Sequence, residues 1–215
     1  MKSSPEGLCF ACEGPLEPFV GGTFEALFER CSSCELILRK RSQQLNSEDA
    51  LAFYRTHQND VQDEGYRRFL SKVTKPLIVR LSSGAIGLDY GSGPAPALTL
   101  LMSEAGFETL AYDPLFAPDG SLLKRTYDFV TATEVVEHFC DPSGDWASMF
   151  SLIRPRGLLA VMTEWYRGQQ PLSAWRYARD PTHNVFYTRV ALAQIARHFG
   201  ADVEFPADNV CIFQR

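Results

Sequence analysis

The stretch that decides the fold is Ala85-Ile86-Gly87-Leu88-Asp89-Tyr90-Gly91-Ser92-Gly93-Pro94-Ala95-Pro96. Its first six residues read as a short buried strand, and Pro96 to Ala105 reads as a helix. Between them, Gly91 and Gly93 reach backbone conformations closed to other residues and let a ligand approach the main chain. A lone Gly-x-Gly is weak evidence. Here it leaves a strand, enters a helix, and is followed 20 residues after Gly93 by Asp113, at the end of the next expected strand. An acid at that place can accept hydrogen bonds from a ribose diol, so the group points to an adenosine-containing ligand.

Working outward, Thr109–Asp113, Tyr127–Ala132 and Leu158–Thr163 read as further strands, with helix between them from about Val135. Such alternation implies an α/β fold, a doubly wound and mostly parallel sheet with helices on both faces. Upstream, Asn46-Ser47-Glu48-Asp49 reads as a capped helix start continuing through Leu51, Phe53 and Tyr54. A second helix is expected over Gly65–Leu81, kinked or split by Pro76. Thr188–Phe199 reads as an amphipathic helix with Val190, Leu192, Ile195, Ala196 and Phe199 inward. Val203–Phe205 and Val210–Phe213 flank a Pro206-Ala207-Asp208-Asn209 turn and predict a hairpin.

Charge narrows the ligand. A dinucleotide fingerprint calls for a third small residue where this chain has Pro96, and Asp89 is expected to aim its carboxylate into the crevice. An anion there repels pyrophosphate and attracts an ammonium or sulfonium. S-adenosylmethionine carries both cations and no phosphate, so it is favoured over NAD and an NAD-linked oxidoreductase is disfavoured. The alternative for Asp89 is a turn or capping aspartate.

On these residues, together with Tyr127-Asp128-Phe129-Val130, Thr133-Glu134-Val135-Val136-Glu137-His138-Phe139 and Leu152-Ile153-Arg154-Pro155-Arg156-Gly157-Leu158-Leu159, the chain from about Glu48 to Arg215 resembles a class I S-adenosylmethionine-dependent methyltransferase. The resemblance implies that Asp89, Gly91, Ser92 and Gly93 hold the methionine end. It places Asp113 and Pro114 at the ribose, and Thr133 and Glu134 beside the cofactor at the end of strand four. It also implies an antiparallel C-terminal end of the sheet. Two departures stand out. Ala95 and Pro96 replace the family's third glycine, and only 14 residues separate Asp113 from Asp128. Strand three is therefore expected to be short or missing, and adenine to rest on backbone groups and apolar contacts, with Leu115 and Phe116 as candidates.

For the acceptor, Trp165–Tyr187 is rich in polar and aromatic groups and is expected to lie over the pocket mouth. His183 and His138 are the candidate catalytic residues. His183 comes first as a general base, because imidazole titrates near neutrality; the competing role is to fix the loop by bonding Asp180 or a carbonyl. Arg176 and Arg179 could bind an acidic acceptor or simply pair with surface carboxylates. Glu134, Glu137 and His138 would share one helical face, with Asp141 nearby. A solvated helix start is preferred there over a metal site.

Toward the N-terminus, Cys9-x-x-Cys12 and Cys31-x-x-Cys34 have the spacing of a four-thiolate zinc site on a strand pair, with Phe24, Ala26 and Phe28 alternating as a strand. A closed thiolate set makes this zinc structural. Two disulfides or an iron–sulfur centre are the rivals. Residues 1–40 form this zinc-ribbon-like module, Arg39–Glu48 the linker, and residues 46–215 the main domain. Cys140 and Cys211 read as small buried side chains.

The chain has 215 residues, 45% of them hydrophobic, and a formal net charge of −5, which argues against gripping a nucleic-acid backbone with the whole surface. Arg39-Lys40-Arg41 is a local basic patch. No apolar run reaches the ~18–20 residues that span a bilayer, and the N-terminus lacks a signal-like stretch, so a cytoplasmic protein with no membrane partner is expected. The acceptor is expected to be a small molecule. Protein and RNA acceptors stay open, as does a non-catalytic module that senses the cofactor and docks through its zinc knuckle.

Overall fold

The computed structural model describes residues 7–54 and 60–215. In chain order, β1 (Leu16–Pro18), β2 (Phe28–Cys31) and β3 (Ile37–Arg39) precede α1 (Ser47–Tyr54) and α2 (Glu64–Ile78). The main body then runs β4 (Ile86–Tyr90), α3 (Ala97–Glu104), β5 (Glu108–Tyr112), β6 (Tyr127–Thr133), α4 (Pro142–Ser151) and β7 (Ile153–Met162). It closes with β8 (Val185–Phe186), α5 (Arg189–His198), β9 (Asp202–Ala207) and β10 (Val210–Gln214).

The six-stranded sheet has the order β5-β4-β6-β7-β10-β9. β4 pairs in parallel with β5 and β6, β6 pairs in parallel with β7, and the β9–β10 hairpin joins β7 antiparallel. This is the expected Rossmann-like methyltransferase sheet with its antiparallel end, and the third strand is missing: β5 is the edge. Residues 113–126 hold one 3-10 turn, Leu122–Lys124. The central strands are buried on both faces, with Leu88, Phe129, Val130, Leu159 and Val161 fully covered, as parallel strands require.

α2 packs through Leu70, Val73, Thr74 and Leu77, and runs unbroken past Pro76 to Ile78, shorter than the expected Leu81. Pro76 has no N–H to donate to the carbonyl of Lys72 and costs the helix that bond, yet the helix continues through Leu77 to Ile78. α5 buries Ala191, Leu192, Ile195 and Ala196, whereas Val190 is exposed rather than inward.

The second sheet, β1-β2-β3-β8, is antiparallel throughout. Three strands come from the N-terminal module and the fourth from residues 185–186, deep in the C-terminal half. Arg39, expected to open the linker, is instead the last residue of β3 and is buried. The expected Phe24–Phe28 strand is replaced at its start by a 3-10 turn, Glu25–Leu27. Its cause is the buried Glu25 carboxylate, which accepts from Gly22 N at 3.0 Å and from Ser173 N at 2.9 Å. Satisfying those donors curls the chain out of an extended course.

Candidate active site

A cavity of about 820 Å³ opens at the carboxyl ends of β4, β5, β6 and β7, where open parallel sheets bind their ligands. Gly91, Ser92 and Gly93 form its floor. Gly91 and Gly93 have φ of +78° and +66°, and a Cβ on Gly91 would meet Val135 Cγ2 at 2.5 Å. The turn is tied to β5 because Tyr112 O accepts from Gly91 N at 2.7 Å and from Ser92 N at 3.1 Å.

Asp113 stands at the end of β5 and lines the cavity with Pro114, Leu115 and Phe116. Its carboxylate accepts from Gly93 N (3.0 Å), Leu115 N (2.8 Å) and Phe116 N (3.0 Å). Of its roughly four lone-pair positions, three are used in holding the two loops together. What remains for a ribose is nearer to one hydrogen bond than to the expected pair.

Asp89 departs from expectation. It is 3% exposed and does not line the cavity; its Oδ1 accepts from Thr131 Oγ1 at 2.8 Å, across to the neighbouring strand. Burial pushes its carboxyl up to about 7, with the Asp113 charge adding to the shift. The negative wall is built by other residues. Among the described residues, Asp113, Asp145, Glu164 and Asp180 line the cavity, with the Glu134 carboxyl raised to about 9 by its surroundings, burial first, against the one guanidinium of Arg176. That balance disfavours a diphosphate and favours a cation.

At the end of β6, Thr133 lines the cavity with a buried hydroxyl oxygen that has no partner. A buried polar atom left unpaired beside a cavity is where a ligand's polar group fits. Glu134 follows with φ +53°, its carboxyl held above the usual range by burial and by the neighbouring Glu137 and Glu164. That left-handed residue ends the strand, and only a 3-10 turn, Val136–His138, follows. Glu134, Glu137 and His138 therefore do not share one face of an α-helix, and Asp141 is used elsewhere, capping α4 by accepting from Gly144 N.

The structure brings His138 together with His183, their ring centroids 4.7 Å apart, and both line the cavity. His183 Nδ1 lies 2.8 Å from Tyr177 O, and His138 Nδ1 lies 3.2 Å from Thr182 O. A carbonyl only accepts, so each Nδ1 carries a proton, and in a neutral ring the lone pair is then on Nε2. Burial lowers the His183 pKa, which keeps that ring neutral. His183 Nδ1 thus fixes the loop through the Tyr177 carbonyl, and its Nε2 lies 3.9 Å from Asp180 Oδ2. Arg176 lines the cavity, whereas Arg179 is exposed and does not. Cys211 is buried as expected; Cys140 is exposed and lines the cavity, because the chain there has left β6 and no strand covers it.

Several lining residues escaped the sequence reading. Glu164 lies just beyond the end of β7, and that carboxyl-end position was the available signal. Tyr54 and Tyr66, on α1 and α2, close the cavity from the N-terminal side; nothing local in the sequence reveals that those helices fold back over it.

The cysteines converge as anticipated. Cys9 and Cys34 sulfurs lie 3.6 Å apart, Cys12 and Cys31 sulfurs 3.5 Å apart, and one sulfur from each of the four lies within 4.8 Å of the rest. Disulfide sulfurs would be ~2.05 Å apart, whereas the edge of a tetrahedron with Zn–S bonds of ~2.3 Å is ~3.8 Å. The two knuckles are alike. Glu13 N donates to Cys9 O at 2.8 Å and Glu35 N to Cys31 O at 3.0 Å, and both glutamates are left-handed, with φ of 58° and 63°. The donor set fits one structural zinc.

A family model for a methyltransferase domain matches residues 63–204. Among solved structures, the chain is similar to the 1,6-didemethyltoxoflavin N1-methyltransferase of Burkholderia thailandensis, with bound 1,6-didemethyltoxoflavin and S-adenosylhomocysteine. There the TM-score is 0.57 at 16% identity, covering 86% of this chain and 97% of that one. It is also similar to a SAM-dependent methyltransferase of Archaeoglobus fulgidus (TM-score 0.55, 14% identity, 77% and 99% covered). A third is the magnesium protoporphyrin IX methyltransferase of Synechocystis PCC 6803 with bound S-adenosylhomocysteine (0.52, 15%, 79% and 94%). At these identities the likeness is one of fold. A search of curated proteins found no match.

Proposed function

The chain belongs to the methyltransferase-domain family, and from that premise we propose that it transfers a methyl group from S-adenosylmethionine to a small-molecule acceptor. The observation that carries this reading is the acidic cavity above the left-handed Gly91–Gly93 turn, which suits a cationic nucleoside. In it, Gly91, Ser92 and Gly93 receive the methionine end and Asp113 with Pro114 the ribose. Thr133 and Glu134 flank the sulfonium, and Leu115 and Phe116 lie against adenine. Asp89 stands behind the wall, buried and bonded to Thr131, and does not line the cavity.

The acceptor occupies the remaining space, under the 165–187 segment, where His183 and His138 present their Nε2 lone pairs to it. Transfer itself is an in-line displacement. The acceptor's lone pair attacks the methyl carbon, the carbon–sulfur bond breaks, and S-adenosylhomocysteine leaves neutral. The enzyme's main contribution is alignment of the two reactants, helped where the nucleophile must first lose a proton. Cys9, Cys12, Cys31 and Cys34 would give zinc four thiolates, a closed set that would serve structure rather than the transfer.

The test is S-adenosylhomocysteine production from a panel of neutral and cationic small acceptors, with peptides and RNA as comparison panels. Turnover with a small molecule, falling at least ~100-fold in His183→Gln at unchanged cofactor affinity, is expected. Turnover confined to peptides or RNA would overturn the acceptor class.

A further inference from the structure

We propose that Glu137, His138 and His183 form a second metal site, holding one divalent first-row transition cation at the wall of the acceptor space. One donor atom from each of the three lies within 4.8 Å of the others. Ligands bound at ~2.0–2.2 Å to one cation lie ~3–4 Å apart, so a modest inward turn of the imidazoles completes the set. Two imidazoles and one carboxylate, with open positions beyond them, suit iron(II), cobalt(II), zinc or manganese rather than magnesium or calcium.

Three observations carry the assignment. Both histidines donate Nδ1–H to a main-chain carbonyl, the outer bond that orients a metal-binding imidazole and leaves Nε2 as the donor. Glu137 is fully buried, yet its Oε1 has no hydrogen-bond partner; a buried carboxylate oxygen is costly to leave unpaired unless a cation meets it. The other oxygen, Oε2, accepts from Thr163 Oγ1 at 2.9 Å, and Thr163 Oγ1 lies 3.0 Å from the Tyr177 hydroxyl, so the carboxylate is oriented like the rings.

His138 and His183 line the cavity, while Glu137 lies behind them. The open positions therefore face the acceptor. This assignment rests on the acceptor reading above and deepens it: the acceptor offers a heteroatom lone pair that joins the cation, and in the metal-bound protein the two Nε2 atoms are ligands rather than free bases.

The experiment is titration of the full-length protein, its four cysteines already zinc-loaded, with cobalt(II), read by absorption. The expected result is one further equivalent of cobalt with d–d bands and no thiolate-to-metal charge transfer. The cobalt dissociation constant should rise by more than ~100-fold in Glu137→Gln, in His138→Gln and in His183→Gln. No further equivalent in the wild type, or equal uptake by all three variants, overturns the proposal. Calorimetry with S-adenosylmethionine on the same samples separates the two readings. Cofactor binding without cobalt uptake sinks only the metal site, and loss of cofactor binding in the wild type sinks the methyltransferase reading. A variant that fails to fold is recognised by its melting curve, and the other two carry the test.

Discussion

Asp89 shows how one buried carboxyl shapes the pH response of the free protein. Its folded pKa, about 7, lies above the ordinary value of 3.8, so the fold favours its neutral form. The stability this gives is complete below pH ~4 and is lost as pH rises through ~7. Asp89→Asn keeps an acceptor for Thr131 and cannot ionise. Melting curves of the cofactor-free protein should show the variant ahead of the wild type at pH 8, by on the order of 3 kcal/mol or less, and level with it at pH 4. An offset that does not change with pH would refute the burial argument. Sequence reading identified Asp89 as a charge at the crevice, but could not place its carboxylate behind the wall. That placement depends on Thr131, one strand over, and cross-strand partners are not encoded locally.

At the scale of elements, the N-terminal sheet holds the segment that carries His183. Arg39, at the end of β3, donates Nε to His183 O at 3.0 Å and Nη2 to Asp180 O at 3.2 Å, with its guanidinium 4.8 Å from the Phe28 ring centroid. Asn184 O accepts from Arg39 N at 2.7 Å, and Thr188 Oγ1 donates to Cys34 O at 2.8 Å. Leu172, Trp175, Ala178 and Phe186 share a core cluster with Phe28 and Ile37. Arg39→Met should therefore cost on the order of 2 kcal/mol of stability and lower turnover about tenfold, while S-adenosylmethionine affinity stays within twofold. Steady-state rates alongside calorimetry check this; equal losses in both would place Arg39 in general folding instead. None of this was legible beforehand. Arg39-Lys40-Arg41 reads as a surface patch, and the two-residue β8 pairs with a strand about 150 residues away, too short and too distant for periodicity to reveal.

Over the whole molecule, the six-stranded sheet carries the Gly91–Gly93 turn, and the four-stranded sheet braces the segment from which Trp175, Arg176, Tyr177, Asp180 and His183 line the cavity. The first was readable because each of its parallel strands is a short apolar run ending in a chemically distinctive residue: Tyr90 before Gly91, Tyr112 before Asp113, Ala132 before Thr133. The missing third strand was readable from the short Asp113–Asp128 interval. The cysteine spacing announced the convergence of the four sulfurs but not the reach of their sheet. Since ~35 residues bury little core of their own, zinc removal by chelation, or Cys34→Ser, should unfold β1–β3 and loosen residues 165–187. Hydrogen exchange is expected to rise in those segments and to stay low in β4, β6 and β7. Uniform exchange across both sheets would mean that the metal supports the entire fold. No helix among the described residues is long and apolar enough to cross a membrane.

If the Gly91–Gly93 turn and Asp113 receive a cationic nucleoside, calorimetric titration of the zinc-loaded protein with S-adenosylmethionine, and separately with NAD, will show it. Saturable binding of one S-adenosylmethionine per chain is expected, weakened at least ~100-fold in Asp113→Ala because the substitution removes both the ribose acceptor and the bond that holds Gly93, with no heat from NAD. Binding of NAD, or S-adenosylmethionine binding unchanged by Asp113→Ala, would contradict it.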